Sequence, residues 1–171
     1  MEITEHAIRI LETVAMEVQA RFTDLGDLAH GFEHTHRVYH LAMHMAEQVH
    51  ADGLIVGMAA LLHDLGRTTR GPTRSHAERS AKLAQNLLAP YDFPLDTQHA
   101  IQAHSFRHGI EPATLEARVL YDADLLDSLG SYSKRLSRMR HHRRSFTAHK
   151  LAAWRTKVVR ATRAISGKNC V

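Results

Sequence analysis

Apolar residues recur every three to four positions through most of the chain. Over residues 4–22, Ala7, Ile10, Leu11, Val14, Val18 and Phe22 fall on one stripe, the spacing of an amphipathic helix. The stretch DLGDLAHGF reads as a loop, and a second helix is predicted over 33–51. A third, over 54–65, is apolar nearly throughout and therefore buried, with Gly66 as its stop. The polar run GRTTRGPTRS separates it from a fourth helix over about 75–89, which stops near Pro90 and Pro94. Residues 95–106 and 113–129 give two more, with Pro112 at the start of the latter. The basic remainder supplies one or two helices, over about 132–141 and 146–165. No segment alternates with period two, so no sheet is expected. The predicted class is all-α, a compact bundle of about six to eight helices.

Composition narrows this further. A chain of 171 residues suits one domain, able to bury about 70% of the surface that its unfolded form exposes. No repeat and no Pro/Gly/Ser linker divides it, so residues 1–171 are read as one helical domain. No apolar run approaches the roughly 20 residues needed to cross a bilayer, and the acidic start MEITEHAIRI is not that of a secretory signal. Cys170 stands alone, which fits a reducing compartment. A cytoplasmic protein without a membrane partner is expected. Charge is unevenly placed. All 18 acidic residues and 10 of the 22 basic ones precede residue 128, a net of −8, whereas residues 128–171 carry 12 basic residues and no acid. That asymmetry suggests an anionic partner for the basic C-terminal region, 131–171: a substrate phosphate, nucleic acid or a neighbouring acidic surface. The plainer reading is that the basic helices cover the chain's own acidic part.

Fifteen histidines, nearly as many as the acids, raise the question of a metal. Facing sorts them. At 100° per residue, Val38, Leu41 and Met45 lie within about 40° of His34, so His34 faces the core. Taken alone it would be a hydrogen-bonded core histidine. His36, His40 and His44 form an i, i+4, i+8 row on the other side, on which nothing else converges, and a solvated face is the better reading. AALLHDLGR then places His63 and Asp64 side by side at the end of the most apolar helix. Burying an imidazole beside a carboxylate is costly unless something satisfies both, and a divalent cation at the negative end of that helix would do so. In LYDADLLDSLG, Asp124 lies at i+4 from Leu120 on an apolar stripe and is the carboxylate to turn inward. Asp122 and Asp127 are expected to cap, pair with arginine or face solvent. The resulting set of two nitrogens and two oxygens suits manganese, iron, zinc, nickel or cobalt better than magnesium or calcium.

His34 in EHTHRV, His63-Asp64 in ALLHDLG and Asp124 in DADLLD together resemble the H…HD…D signature of the HD superfamily of metal-dependent phosphohydrolases. The resemblance runs from about residue 28 to 130, about 60% of the chain, and marks that stretch as the metal-site core. It implies that His34, His63, Asp64 and Asp124 hold a divalent metal, and that Arg37 of the HxxR piece supports the site or a phosphate. His76 in HAERSA and His104 in IQAHSF resemble positions where two-metal members add histidines. In the first of these, written HxxxGA, Ser80 stands here in place of the glycine, and only eleven residues separate Asp64 from His76. A second metal is therefore left open; otherwise His76 and His104 line the pocket, binding phosphate or exchanging protons. The HSF piece resembles that of compact bacterial members acting on nucleotides.

The implied chemistry is hydrolysis of a phosphate ester or anhydride of a small molecule, a nucleotide first of all. A metal would activate water and polarise a phosphoryl oxygen, with Asp64 central to its binding. Arg37, Arg67, Arg79 or a basic residue of the C-terminal region would neutralise the phosphate, and His104 is the first candidate for general acid. Two other readings stand beside this one. A two-iron oxygenase of HD type would use His76 and His104 as extra ligands. A nucleic-acid-binding module with a structural metal would rest on the basic region, where Trp154 and Phe146 do not interleave with the charges like a single-strand platform.

Overall fold

The structure, a computed structural model, describes residues 5–23, 31–69, 75–91, 95–105 and 109–138. Among these there are six α-helices and two short 3₁₀ turns, with no strand. The helices are α1 (Glu5–Phe22), α2 (Phe32–Val49), α3 (Gly53–Leu62), α4 (His76–Leu88), α5 (Leu95–Ala103) and α6 (Leu115–Arg138). Residues 24–30 of the predicted loop, a helix over 146–165, Phe146, Trp154 and Cys170 lie outside the described residues.

The apolar third helix is the centre of the fold. Every residue of α3 except Leu54 is buried, and it packs against α1, α2, α5 and α6. A helix surrounded on all sides has no polar face to present, which is why GLIVGMAALL has no amphipathic period. Leu61 and Leu62 are fully buried, each contributing roughly 2–3 kcal/mol relative to exposure. Asp52 starts the helix by accepting from the Leu54 and Ile55 amides. Its own amide donates to Glu116 at 3.0 Å, tying the start of α3 to α6. The outer helices broadly follow the predicted stripes: Leu11, Val14, Val18 and Phe22 of α1 face inward, and on α2 Val38 is buried while Leu41 and Met45 are half-buried against the core.

Three boundaries differ from expectation. α3 ends at Leu62 rather than Leu65, and a 3₁₀ turn, Leu65–Thr68, follows. Gly66 therefore does not act as a helix cap. A Cβ there would press on the His76 carbonyl and lie 2.6 Å from the Ser80 amide nitrogen, so its role is to let the start of α4 approach. α6 runs unbroken to Arg138, joining the predicted 113–129 and 132–141 helices. A glycine such as Gly130 costs a helix only about 1 kcal/mol, and no proline follows to stop it. Pro112 lies ahead of α6, which starts at Leu115 after Thr114 accepts from the Ala117 amide. No helix of the described residues is long and apolar enough to cross a membrane.

Candidate metal centre

Five elements converge on one end of α3. α2 brings His34 and Arg37; the end of α3 and the turn after it bring His63, Asp64 and Arg67. The first residue of α4 is His76, His104 follows α5, and α6 supplies Asp124 and Asp127. The last turns of α3 and α5 use the same device. A helix end leaves carbonyls without amide partners. His63 donates from Nδ1 to the Ala60 carbonyl at 2.7 Å, and His104 donates from Nδ1 to the Ile101 carbonyl at 2.6 Å. Since a carbonyl only accepts, each ring holds its proton at Nδ1 and, when neutral, presents a bare lone pair at Nε2.

Those lone pairs meet other acceptors. In the first cluster, His63 Nε2 lies 3.2 Å from His34 Nε2, which is itself 3.1 Å from Asp124 Oδ1. His34 Nδ1 is committed on the far side, 2.8 Å from Asp127 Oδ2. Arg37 clamps the same carboxylate through Nε at 2.6 Å and a terminal nitrogen at 2.9 Å. A ring flanked by acceptors on both nitrogens must carry positive charge. Burial opposes it, but the hydrogen bonds to Asp124 and Asp127 prevail, and the His34 pKa is raised to about 9. For Asp127, burial pushes upward while His34 and Arg37 outweigh it, holding the carboxyl far below its usual range. Asp124 is likewise lowered, its burial overcome by His34 and the charges nearby.

The second cluster is built from the same parts. His76 Nε2 lies 3.1 Å from His104 Nε2 and 3.3 Å from Asp64 Oδ1. Arg67 supplies the positive charge here: its Nε donates to Asp64 Oδ1 at 2.7 Å and a terminal nitrogen donates to His76 Nε2 at 3.1 Å. His104 is neutral at ordinary pH, because burial and then the neighbouring His63 lower its pKa to about 4. Asp64 joins the two clusters. Oδ2 lies 3.7 Å from His34 Nε2 and 3.8 Å from His63 Nε2, while Oδ1 faces His76 and His104. Asp64 can do this because it sits in the turn between α3 and the 3₁₀ segment, at φ −103° and ψ 6°.

Two ligand sets thus stand within metal-binding reach among the described residues: His34, His63 and Asp124, and Asp64, His76 and His104. The donor chemistry fits divalent cations. Imidazole lone pairs and carboxylate oxygens converge with no donor of their own to separate them, so each set needs a positive charge at its centre. A proton on His34 and the Arg67 guanidinium provide those charges in the protein alone.

The structure places the predicted site residues unevenly. His34, His63, Asp64, Asp124, His76 and His104 are brought together. Arg37 is engaged on Asp127, which in turn holds His34. Arg79 donates to the Gly66 carbonyl at 3.0 Å, which holds the turn against α4. His104, the candidate for general acid, has its ring kept neutral by burial and donates from Nδ1 to the Ile101 carbonyl. Ser80 is buried and accepts from the Gly66 amide at 2.8 Å, so the hydroxyl has a structural use where a glycine was expected. His36 and His40 are half-buried, their Nε2 atoms 3.3 Å apart, and of the predicted solvated row only His44 is exposed. Asp127 is the residue the sequence undervalued. Its i+3 spacing from Asp124 puts it on the same face of α6, and that was the available signal.

A family model described as the HD domain matches residues 31–129. The chain belongs to the HD-domain family. This HD protein is 36% identical over 117 residues to ribonuclease Y of Acidothermus cellulolyticus, covering 63% of this chain and 23% of that relative. With ribonuclease Y of Thermobifida fusca it shares 36% identity over 141 residues, 75% of this chain and 26% of the relative. The chain thus spans about a quarter of the length of these curated relatives. Among solved structures, a predicted HD superfamily hydrolase from an uncultured Thermotogales bacterium matches with a TM-score of 0.60 and 26% identity. The match covers 96% of this chain and 87% of that one. Family model and solved neighbour agree on the HD-domain fold.

Proposed function

We propose that this protein is a metal-dependent phosphohydrolase that cleaves a phosphate ester or anhydride of a nucleotide. Divalent transition cations would be held by His34, His63, Asp64 and Asp124, and by Asp64, His76 and His104. The observation that carries this reading is Asp64, a buried carboxylate with one oxygen turned to each cluster. When bound, such cations lower the pKa of water and polarise a phosphoryl oxygen. The chain's own residues do the rest. Asp127 and Arg37 fix the His34 ring, Ala60 and Ile101 carbonyls fix His63 and His104, and the rings keep their lone pairs aimed inward. Arg67 is partly exposed and, among the described residues, holds Asp64 at 2.7 Å, so it is the group placed to meet the oxygens of a phosphate.

A second substrate reading is an RNA phosphodiester. It is favoured by the ribonuclease Y relatives and by the 12 basic residues of 128–171. The oxygenase reading has no comparable support beside the hydrolase family and neighbour. The test is a hydrolysis panel of nucleotides, phosphate esters and short RNA with manganese, cobalt, nickel and magnesium. Metal-stimulated phosphate release from mononucleotides is expected. Cleavage of RNA alone would move the assignment to the second reading, and no hydrolysis of any member would overturn both.

A further inference from the structure

Arg67 stands where a metal would have to be. Its guanidinium holds Asp64 Oδ1 at 2.7 Å and His76 Nε2 at 3.1 Å, two of the three ligand atoms of the second set. His76 Nε2 has one lone pair, which can accept from the guanidinium or bind a cation, not both. Asp64 Oδ1 has room for two partners, but a divalent ion in contact with it would lie close to the Arg67 charge and be repelled by it. The arginine of the first set, Arg37, is engaged on Asp127, behind His34, at 2.6 and 2.9 Å. Arg67 also has a way out: its side chain retains 29% of its exposure, whereas Asp64 beneath it retains 2%.

We propose that Arg67 is a tethered cation that fills the second metal set and must leave it for an ion to enter, so that a phosphate which draws the guanidinium outward promotes second-site loading. The inference rests on the metal reading above. The planar guanidinium fork matches two phosphate oxygens as well as it matches Asp64 and His76, and the exchange trades one pair of charge-assisted hydrogen bonds for another. Linkage makes the effect reciprocal: second-site metal strengthens phosphate binding by the same factor. The two sets therefore load in order, first the one holding His34, then the one guarded by Arg67.

The test is Mn²⁺ titration of the full chain by calorimetry, with the count checked by elemental analysis, for the wild type, Arg67→Ala and Arg67→Gln, each with and without inorganic phosphate. The wild type should bind one ion tightly and a second more weakly. Both variants should tighten the second ion only, on the order of 10- to 100-fold, the size expected for removing a competing charge-assisted pair. Phosphate should tighten the second ion in the wild type and do so far less in the variants. An unchanged or weakened second ion in folded variants overturns the proposal, as does a phosphate effect of equal size in all three proteins. One ion per chain throughout also overturns it while leaving the first site standing. No bound ion in any protein is instead the failure of the metal reading itself. Circular dichroism identifies a variant that has not folded, and Arg67→Gln, which keeps amide donors, supplies the second chance.

Discussion

The two ligand sets are made of the same residue types and differ in what supplies their positive charge. Around His34, Asp124 and Asp127 press on a ring that responds by holding a proton, and Arg37 stands behind Asp127 as a brace. Around His76, the positive charge comes from Arg67, which reaches directly to the ligand atoms of Asp64 and His76. The first set is thus preorganised by partners that stay in place when a cation binds. The second is closed by a partner that has to move. Identical chemistry in the ligands does not make equivalent sites; the difference lies in whether the compensating charge leaves as a proton or must swing aside as a side chain.

The largest effect should come from removing what both sets share. Asp64→Ala should abolish turnover and binding at both sites while helix content stays near wild type; undiminished activity would refute the site assignment. Next in size is Gly66→Ala. A methyl group there meets the backbone of α4, so the start of that helix and His76 with it must shift. The expected result is a loss of about 1–3 kcal/mol of stability and of the second ion, with the first retained. Equal loss at both sites would mean that the turn supports the whole centre. Asp127→Asn acts on the other set. It removes the charged partner of His34 Nδ1 and should weaken the first ion on the order of 10- to 100-fold. A drop confined to the second ion would contradict the division.

A smaller effect is set by pH in the metal-free protein. His34 has its pKa raised to about 9, so its contribution to stability is complete below about 6.5 and is lost as pH rises through 9. His104 is lowered to about 4, so its contribution is present above about 6.5 and is lost as pH falls through 4. Thermal melts with a chelator should therefore be highest between these limits. Adding metal should remove the alkaline fall, because a cation takes the place of the His34 proton. Smallest of all is His40→Ala, whose half-buried partner is His36 on the opposite side of α2 from the ligands. Its cost should be within about 1 kcal/mol, with both ions retained.

Much of this was legible in the sequence, for identifiable reasons. A long amphipathic helix fixes facing, and that alone turned His34 inward and set His36, His40 and His44 apart. The apolar run before His63 announced a buried end where an imidazole and a carboxylate needed compensation. What depends on contact between distant segments was not legible. Gly66 looked like a helix stop because glycine commonly is one, whereas its use is a close approach from α4 fourteen residues on. Arg67 looked like one of several arginines in a polar loop, and only the fold sets it on Asp64 and His76. Asp127 shared a face with Asp124, but its value comes from His34, on a helix more than ninety residues away.

Two cation sites that share Asp64 through its two oxygens would be magnetically coupled. Mn²⁺ titration followed by electron paramagnetic resonance tests it most directly. Two ions per chain are expected, their spins coupled through the shared carboxylate, with both the second ion and the coupling lost in Asp64→Asn. A single ion, or two ions with independent spectra, would contradict it.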